Sequence, residues 1–225
     1  MIKLLTPAIV LNERDKERRL QAMKINPSNL SPTDSYHLLV SVVLPRPIAW
    51  VSTVDRHGIF NLAPFSAFCI VSVEPAMVGF SVGTRRDGQK KDTLRNIETT
   101  KEFVINVVEE SLAKAMNITS APYPSDVSEM EEAGLTPVKA DLVKAPLLAE
   151  SPINMECRLK QVLKFGETAT TDSFIIGELL LIHVRDELYA NGEVQVSKLK
   201  AIGRLGGNMY CRIQDMFEMK RLTTE

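Results

Sequence analysis

The most regular alternation of hydrophobic and polar residues lies between residues 153 and 165. Apolar side chains occupy every second position and polar ones the positions between: Ile153, Met155, Cys157 and Leu159 alternate with Asn154, Glu156, Arg158 and Lys160. This period of two predicts a strand with one face toward a core. Residues 173–185 have an unbroken apolar centre and predict a second long strand.

Shorter apolar segments predict the other elements, with strands over residues 48–51, 59–68, 76–82 and 102–108, and helices starting at Ser31-Pro32 and over residues 93–100, 110–120 and 128–133. Many strands, few helices and no repeated strand–helix alternation favour a mainly β fold, a closed antiparallel barrel with peripheral helices. Without internal repeats or a low-complexity linker, the chain is expected to form one domain. Residues 1–22 are predicted to be an N-terminal extension.

Composition narrows the possible partners. Hydrophobic residues make up 44% of the 225 residues, and the formal net charge is −1, so neither nucleic acid nor a membrane is an expected partner. The three cysteines (Cys69, Cys157 and Cys211) are odd in number and far apart, which argues against a disulfide framework or a zinc site. We therefore expect buried structural thiols, no metal and a cytoplasmic location.

Polar side chains interrupt the apolar hairpin around residues 45–68. Ser52, Thr53, Asn61 and Ser66 lie where a purely structural hairpin more often carries larger side chains. Hydroxyl and amide groups spaced along strands can donate hydrogen bonds to a flat heteroaromatic ligand and its polar tail. This hairpin is therefore the first candidate for a binding site.

The same hairpin resembles the FMN-binding domain of the flavin reductase family, in the flavoredoxin-like branch of the split-barrel flavoproteins. The matching pattern is Arg-Pro-Ile-Ala-x-Val-Ser-Thr at residues 46–53, Asp-x-x-Gly at 55–58 and Asn-x-Ala-Pro-Phe-Ser-x-Phe at 61–68. The resemblance extends over roughly residues 23–212. It implies an antiparallel FMN-binding split β-barrel of the Greek-key type, with residues 23–225 as the flavin reductase-like domain.

The resemblance also implies roles for hairpin residues. Four polar residues would hold the flavin ring and ribityl chain: Ser52, Thr53, Asn61 and Ser66. Three others would shape the surroundings of the ring: Ala63, Pro64 and Phe65. Trp50, the sole tryptophan, either packs in the core or lines the edge of the pocket.

A basic loop precedes the predicted helix at residue 93. Between Thr84 and Thr93 it contains four cations (Arg85, Arg86, Lys90 and Lys91) against two acids. A helix N-terminus preceded by cations suits a phosphate group, although such a loop can also be simply solvated. The resemblance places Lys91, Asp92 and Thr93 at the FMN phosphate, assisted by Arg85 or Arg86. Asp92 is expected to cap the helix rather than touch the phosphate.

A glycine-rich segment at residues 198–210 is the third candidate. Arg204 and Tyr210 offer a cation and a ring there, but the glycine spacing is not that of a dinucleotide fingerprint. The segment is either an ordinary C-terminal loop or, by resemblance, part of the flavin pocket. The family has a similar Gly-Arg-Leu-Gly-Gly segment that ends in tyrosine.

Residues 79–83 match the Gly-x-Ser-x-Gly pattern of serine hydrolases. That pattern needs a sharp strand-to-helix turn at the serine, whereas Ser81 is expected within a continuous strand. His183, the one histidine that follows in the required order, is expected within a strand too. We therefore interpret the match as coincidental.

The function implied by the resemblance is that of an NADH- or NADPH-dependent flavin oxidoreductase. A hydride would pass from the nicotinamide to the N5 atom of FMN, and the electrons would pass on to an acceptor. No catalytic side chain is predicted because the flavin carries the chemistry. The resemblance also implies a homodimer, and a redox partner protein is possible. The alternatives are a non-catalytic FMN electron carrier and the reductase component of a two-component monooxygenase.

Overall fold

The computed structural model describes residue 14 and residues 22–85, 87–166 and 172–222. The chain divides into two units, Met1–Leu39 and Val40–Glu225. Four α-helices are described: α1 (Pro32–Val42), α2 (Asp92–Thr100), α3 (Ala113–Ile118) and α4 (Glu129–Glu132). Short 3-10 helices lie at Pro27–Asn29, Glu110–Leu112 and Asp186–Leu188. The predicted extension, residues 1–22, lies outside the described residues except for Arg14 and Ala22.

Thirteen strands are described, of which seven form the main sheet. These are β1 (Ala49–Val54), β2 (Phe60–Phe65), β3 (Phe68–Val73), β4 (Ala76–Val82), β5 (Glu102–Asn106), β8 (Ile153–Phe165) and β9 (Asp172–Val184). The others form two-stranded ribbons: β6 (Pro137–Val138) with β7 (Leu147–Leu148), β10 (Tyr189–Ala190) with β11 (Glu193–Val194), and β12 (Ile202–Arg204) with β13 (Tyr210–Arg212).

In the first unit, the predicted start of helix α1 is confirmed. The Ser31 hydroxyl accepts the backbone N–H of Asp34 at 3.1 Å and donates to the Asp34 carboxylate at 2.6 Å. Serine before the first turn satisfies an N–H that has no partner within the helix, and proline at the first position loses nothing there. The Ser-Pro-x-Asp pattern therefore marks the true beginning of the helix.

The main sheet curls until its two end strands meet. All its pairings are antiparallel, in the order β2-β1-β5-β8-β9-β4-β3. Strands β2 and β3 stand at opposite ends of this order, yet only two residues separate them in the chain. A flat sheet cannot satisfy both conditions. Across the junction, Phe65 of β2 packs against Phe80 of β4, with the ring centroids 5.3 Å apart. The predicted barrel is thereby confirmed.

Two apolar clusters pack on opposite faces of strand β1. Ala49 and Val51 belong to the barrel interior, which is filled by three contacting aromatic rings: Phe65, Phe80 and Phe103. Trp50, between them in sequence, belongs to an outer cluster with residues of helices α3 and α4. Successive strand residues point to opposite faces, so one strand serves both clusters. In the interior, a Cβ on Gly177 would lie 2.3 Å from the Phe103 ring, which makes glycine necessary there.

Strand β3 was not predicted as a separate element. Ile70 and Val73 are 77% and 87% exposed, so the segment lacks the alternation of a half-buried strand. Ser81 lies within β4, opposite Phe174 of β9, and no hydrolase elbow forms there. None of the described helices has the length and apolar character needed to span a membrane.

A buried carboxylate fixes the loop after β6 to the barrel. Glu156 on β8 has no exposed surface, and its oxygens accept the backbone N–H groups of Asp141, Leu142 and Val143 at 2.6–3.0 Å. His183 on β9 places its Nε2 atom 2.6 Å from the same carboxylate. Burial by itself would raise the pKa of Glu156, but the hydrogen bonds from His183 and the loop outweigh it, so the pKa is lowered.

We expect Glu156→Gln to destabilise the protein in a pH-dependent way. A glutamine NH₂ group would face backbone donors, at a cost of roughly 1–3 kcal/mol at neutral pH. A lowered folded-state pKa contributes stability above the unfolded pKa, and this contribution is lost as the pH falls through the folded pKa. Denaturant unfolding from neutral pH into the acid range should therefore show the difference from wild type shrinking.

Glu193→Gln is the matched control, because it makes the same substitution on an exposed side chain that takes no part in the bonds of Glu156. It should leave the unfolding free energy nearly unchanged. A Glu156→Gln difference that stays constant with pH would contradict the explanation.

Candidate functional site

The basic loop forms a tight turn between β4 and helix α2. The backbone N–H of Arg85 donates to the Gln89 carbonyl at 2.8 Å, and Gly88 at the turn has φ +80°. Lys91 is the extended N-cap residue and Asp92 begins the helix. The loop thus delivers its last cation to a helix N-terminus, where backbone N–H groups face outward. Arg86, also predicted to assist at a phosphate, lies outside the described residues.

Asp92 does not occupy the capping position that the sequence predicted. It lies in the first turn of α2, where its carboxylate accepts from Arg85 Nη1 and from the Ser125 hydroxyl, both at 2.8 Å, and also pairs with Arg95. Arg85 in turn donates to the Tyr123 carbonyl at 3.0 Å. The reason is the charge on both sides of Asp92: two guanidinium groups compete for its oxygens more strongly than neutral N–H groups do.

Lys91 is held beside an aromatic ring and a second cation. Its Nζ atom lies 5.6 Å from the centroid of the Phe65 ring, although part of the residue is exposed. Partial burial and repulsion from Arg85 lower the pKa of Lys91, and Asp172 partly opposes them. Arg85 already pairs with Asp92, so Lys91 is the better placed of the two cations to attract a further anion.

Below this helix start lies a network of buried polar side chains. The Oδ1 atom of Asn61 accepts hydroxyl protons from Thr93 at 2.8 Å and Thr53 at 3.3 Å. Asn96, one turn further along α2, donates to the Thr53 hydroxyl at 3.1 Å. Three predicted residues from β1, β2 and α2 therefore meet. The Thr93 hydroxyl donates its proton to Asn61. The backbone N–H of Thr93 is therefore the donor of this residue that remains for a phosphate.

Glu129 completes this network and was not predicted. It is 7% exposed, and its carboxylate accepts from Asn61 Nδ2 at 2.6 Å and from the backbone N–H of Leu62 at 3.0 Å. The sequence analysis assigned the acidic segment around residues 128–133 no site residue. An acid whose partner lies 68 positions earlier in the chain gives no local pattern that identifies it.

The pairing of β1 with β2 separates the predicted hairpin residues between two faces. Thr53 pairs with Asn61, and Ala63 and Phe65 follow on the same face. The side chains of Trp50 and Ser52 point the other way and have no exposed surface. Trp50 donates to the Thr119 hydroxyl at 2.9 Å, and Ser52 to the Pro146 carbonyl at 2.6 Å. Pro64 shares their face, since it is opposite Trp50.

Ser66 belongs to a second group of polar residues around a buried arginine. Arg46 is 8% exposed, and its Nε atom lies 3.4 Å from the Ser66 hydroxyl. Its other nitrogens donate to the carbonyls of Val40, Val43 and Leu205 at 2.6–3.0 Å. Arg46 falls within the recognised motif but was not predicted as a site residue. Carbonyl partners at the end of helix α1 and at residue 205 show that Arg46 holds these two segments together.

Arg204 and Tyr210 contact each other, as their shared segment allows. The Arg204 guanidinium lies 4.5 Å from the centre of the Tyr210 ring and also bonds the Tyr210 hydroxyl and the Gly207 carbonyl. The backbone of Arg204 pairs with that of Arg46 in both directions, at 2.8 and 3.0 Å. Tyr210 also packs against the outer cluster that contains Trp50.

The predicted residues therefore fall into two groups. The first comprises Thr53, Asn61, Ala63, Phe65, Arg85, Lys91, Asp92 and Thr93, on one face of the β1–β2 hairpin and at the start of α2. The second comprises Trp50, Ser66, Arg204 and Tyr210, around Arg46 and the outer cluster, while Ser52 and Pro64 face outward from the hairpin. The first group offers cations, helix N–H groups and an aromatic ring, which fits the phosphate and ring of a flavin in chemical type. Whether a flavin contacts either group stays a prediction.

Comparison with known proteins agrees with this architecture. Residues 41–198 match the model of the flavin reductase like domain. Nitrilotriacetate monooxygenase component B from Bacillus cereus is 36% identical, with a TM-score of 0.84 over 88% of this chain and 98% of that chain. The 2-nitrobenzoate 2-nitroreductase of Pseudomonas fluorescens is 30% identical, with a TM-score of 0.81 over 89% and 97%.

A third structure defines the barrel type. A Shewanella frigidimarina protein, described as a flavin reductase with a split barrel domain, has a TM-score of 0.75 at 24% identity, over 91% of this chain and 100% of that chain. The present fold is thus that of the split-barrel flavin reductases. The chain belongs to the flavin reductase like domain family, as the hairpin motif predicted, and membership indicates an oxidoreductase that uses a flavin.

Proposed function

We propose that this protein binds FMN and reduces it with NADH or NADPH. The observation that carries the proposal is the first group of residues, in which Lys91 and Arg85 flank the start of α2 beside Phe65 and the Thr53–Asn61–Thr93 network. A bound FMN supplies the acceptor for a hydride from the nicotinamide. The protein's own residues bind the phosphate, orient the ring and exclude water from it.

Within this proposal the two ends of the flavin have different partners. The cations and the free N–H groups of α2 hold the phosphate, because charge and helix dipole act together there. Ala63 and Phe65 lie beside the ring and the ribityl chain, and the buried Thr53 and Asn61 support them from within the network. Ser66, Arg204 and Tyr210 close the far side, held in place by Arg46. Trp50, Ser52 and Pro64 act through packing and through their backbone groups.

The absorption spectrum of the purified protein, followed by anaerobic addition of NADH and then NADPH, tests the proposal. We expect flavin bands, either co-purified or after FMN is added, that bleach with at least one nucleotide. Bleaching by one of the two identifies the donor. A protein that neither carries flavin nor quenches the fluorescence of added FMN would contradict the proposal.

Two alternatives differ from this proposal in how electrons enter and leave. Flavin bands that no nicotinamide nucleotide bleaches would indicate an electron carrier that another protein reduces. The likeness to nitrilotriacetate monooxygenase component B favours the second alternative, a reductase component that releases reduced flavin to an oxygenase. Loose FMN binding with rapid turnover of added FMN would support it.

We expect Lys91→Ala to weaken FMN binding about tenfold, the value of one charge-assisted contact. Affinity for riboflavin, which lacks the phosphate, should stay nearly unchanged. Fluorescence titration with both flavins measures the difference. The double variant with Arg85→Ala should lose still more of the preference for FMN.

Lys90→Ala is the matched control for Lys91→Ala. This neighbouring lysine carries the same charge but pairs with Glu98 on α2. Equal losses in the two variants would indicate a diffuse effect of net charge. A Lys91→Ala protein with unchanged FMN affinity would contradict the phosphate assignment.

We also propose that the protein is a homodimer. Strand β3 is an edge of the sheet and exposes Ile70 and Val73, while Ile182 on β9 is 51% exposed. An apolar edge strand is prone to pair with another chain, and self-association would cover it. Dimerisation through this surface would bring a second subunit near the flavin, as in the family that the sequence resembles.

Sedimentation velocity should find a dimer, and Val73→Lys should shift it toward monomer by placing a charge in the interface. Val138→Lys on the β6–β7 ribbon is the control, because Val138 is also exposed, at 42%, and should leave the dimer intact. A wild-type monomer that binds FMN fully would count against a dimeric site.

A flavin, a nicotinamide nucleotide and a redox partner protein remain the proposed partners, and the cytoplasm remains the proposed location.

A further inference from the structure

Glu129 is a buried acid whose carboxylate is fully engaged. It lies on the short helix α4, and each of its oxygens accepts one N–H donor from strand β2, Asn61 Nδ2 on one side and the Leu62 backbone on the other. Its helix neighbours Glu131 and Glu132 are exposed. The sequence shows three similar acids, and the fold distinguishes one of them.

The direction of the hydrogen bonds around Asn61 follows from this acid. An ionised carboxylate only accepts, so Asn61 must turn its NH₂ group toward Glu129 and its oxygen away from it. That oxygen then accepts from Thr93 and Thr53. With the amide reversed, the hydroxyls would lose their acceptor and Glu129 would face an oxygen. One carboxylate therefore sets the direction of the side-chain hydrogen bonds that join Asn61 to Thr53 and Thr93.

We propose that Glu129 is the positioning residue of the flavin site, fixing the amide of Asn61 and through it the first turn of helix α2. This inference rests on the proposed function, because its consequence is the placement of Lys91 and the Thr93 N–H at the FMN phosphate. Glu129 itself does not touch the flavin. It acts through Asn61 and Thr93.

The electrostatic surroundings agree with a functional rather than a stabilising role. Burial raises the pKa of Glu129, the bonds from Leu62 and Asn61 oppose this, and the nearby charge of Asp92 adds to it. Asp55, Asp92 and Arg95 line the same small cavity. A carboxyl with a raised folded-state pKa contributes stability that is lost as the pH rises through that pKa. In its ionised form the group therefore costs stability, as functional groups often do.

The test compares Glu129→Gln with Glu132→Gln in the full-length protein, measuring affinity for FMN by fluorescence titration and the melting temperature without ligand. A glutamine has one oxygen and one NH₂, so it can satisfy only one of the two donors from β2. We expect FMN affinity to fall about tenfold in Glu129→Gln. The melting temperature should stay the same or rise, because removing a buried charge that costs stability offsets the lost hydrogen bond; Glu156, whose pKa is lowered, has no such offset. Glu132→Gln should change neither quantity.

Each outcome decides the matter. If Glu129→Gln binds FMN as tightly as wild type, the inference is wrong and the proposed function stands. The inference is also wrong if FMN affinity and melting temperature fall together, because that result indicates a merely structural acid. A wild-type protein that binds no flavin would overturn the proposed function and the inference together. If Glu129→Gln does not fold, Glu129→Asp is measured instead. It keeps the charge but shortens the reach, and the same affinity loss at preserved stability is expected.

Discussion

The alternation of side chains along β1 and β2 is the constraint on which the rest of the structure depends. Val51 and Phe65 fill the barrel while Trp50 and Leu62 fill the outer cluster, so this hairpin is buried on both faces. A shift of one residue in the pairing would exchange the two sets and bring Thr53 and Asn61 to the wrong face. The pairing also fixes where the helices pack. Helix α2 adds Leu94 and Ile97 to the barrel interior, and helix α4 adds Met130 to the outer cluster.

The fold could be predicted from sequence for strands whose side chains are buried on one face or on both faces. The alternation in β8 and the apolar run in β9 have no other explanation than long strands, and both are found. The hairpin motif supplied the family because its residues are uncommon and occur in register. Strand β3 was not predicted because Ile70 and Val73 are exposed, so its residues show neither the alternation of β8 nor the long apolar run of β9. It forms a tight hairpin with β4, in which Val73 is opposite Ala76, and its exposed apolar side chains do not mark a buried face.

The candidate site was predictable in its residue types but not in its connections. Hydroxyl and amide residues on the hairpin and cations before α2 were visible in the sequence. Successive strand residues point to opposite faces, so the side chain of Ser52 lies on the other face of the hairpin from that of Thr53, although the two residues are adjacent. Glu129 escaped because its partner Asn61 lies 68 positions earlier. The capping role expected of Asp92 was wrong because its carboxylate pairs with Arg85, which precedes the helix, instead of with backbone N–H groups.

The buried guanidinium of Arg46 joins the earliest and latest parts of the barrel unit. Its partners include the carbonyl of Leu205, 159 positions further along the chain. During synthesis on the ribosome, Arg46 emerges long before that carbonyl exists, and water must satisfy its nitrogens in the meantime. A buried cation is costly until its acceptors are in place. The arginine of the recognised hairpin motif therefore gains its last acceptor only after residue 205 has been synthesised, and a product truncated before that residue lacks it.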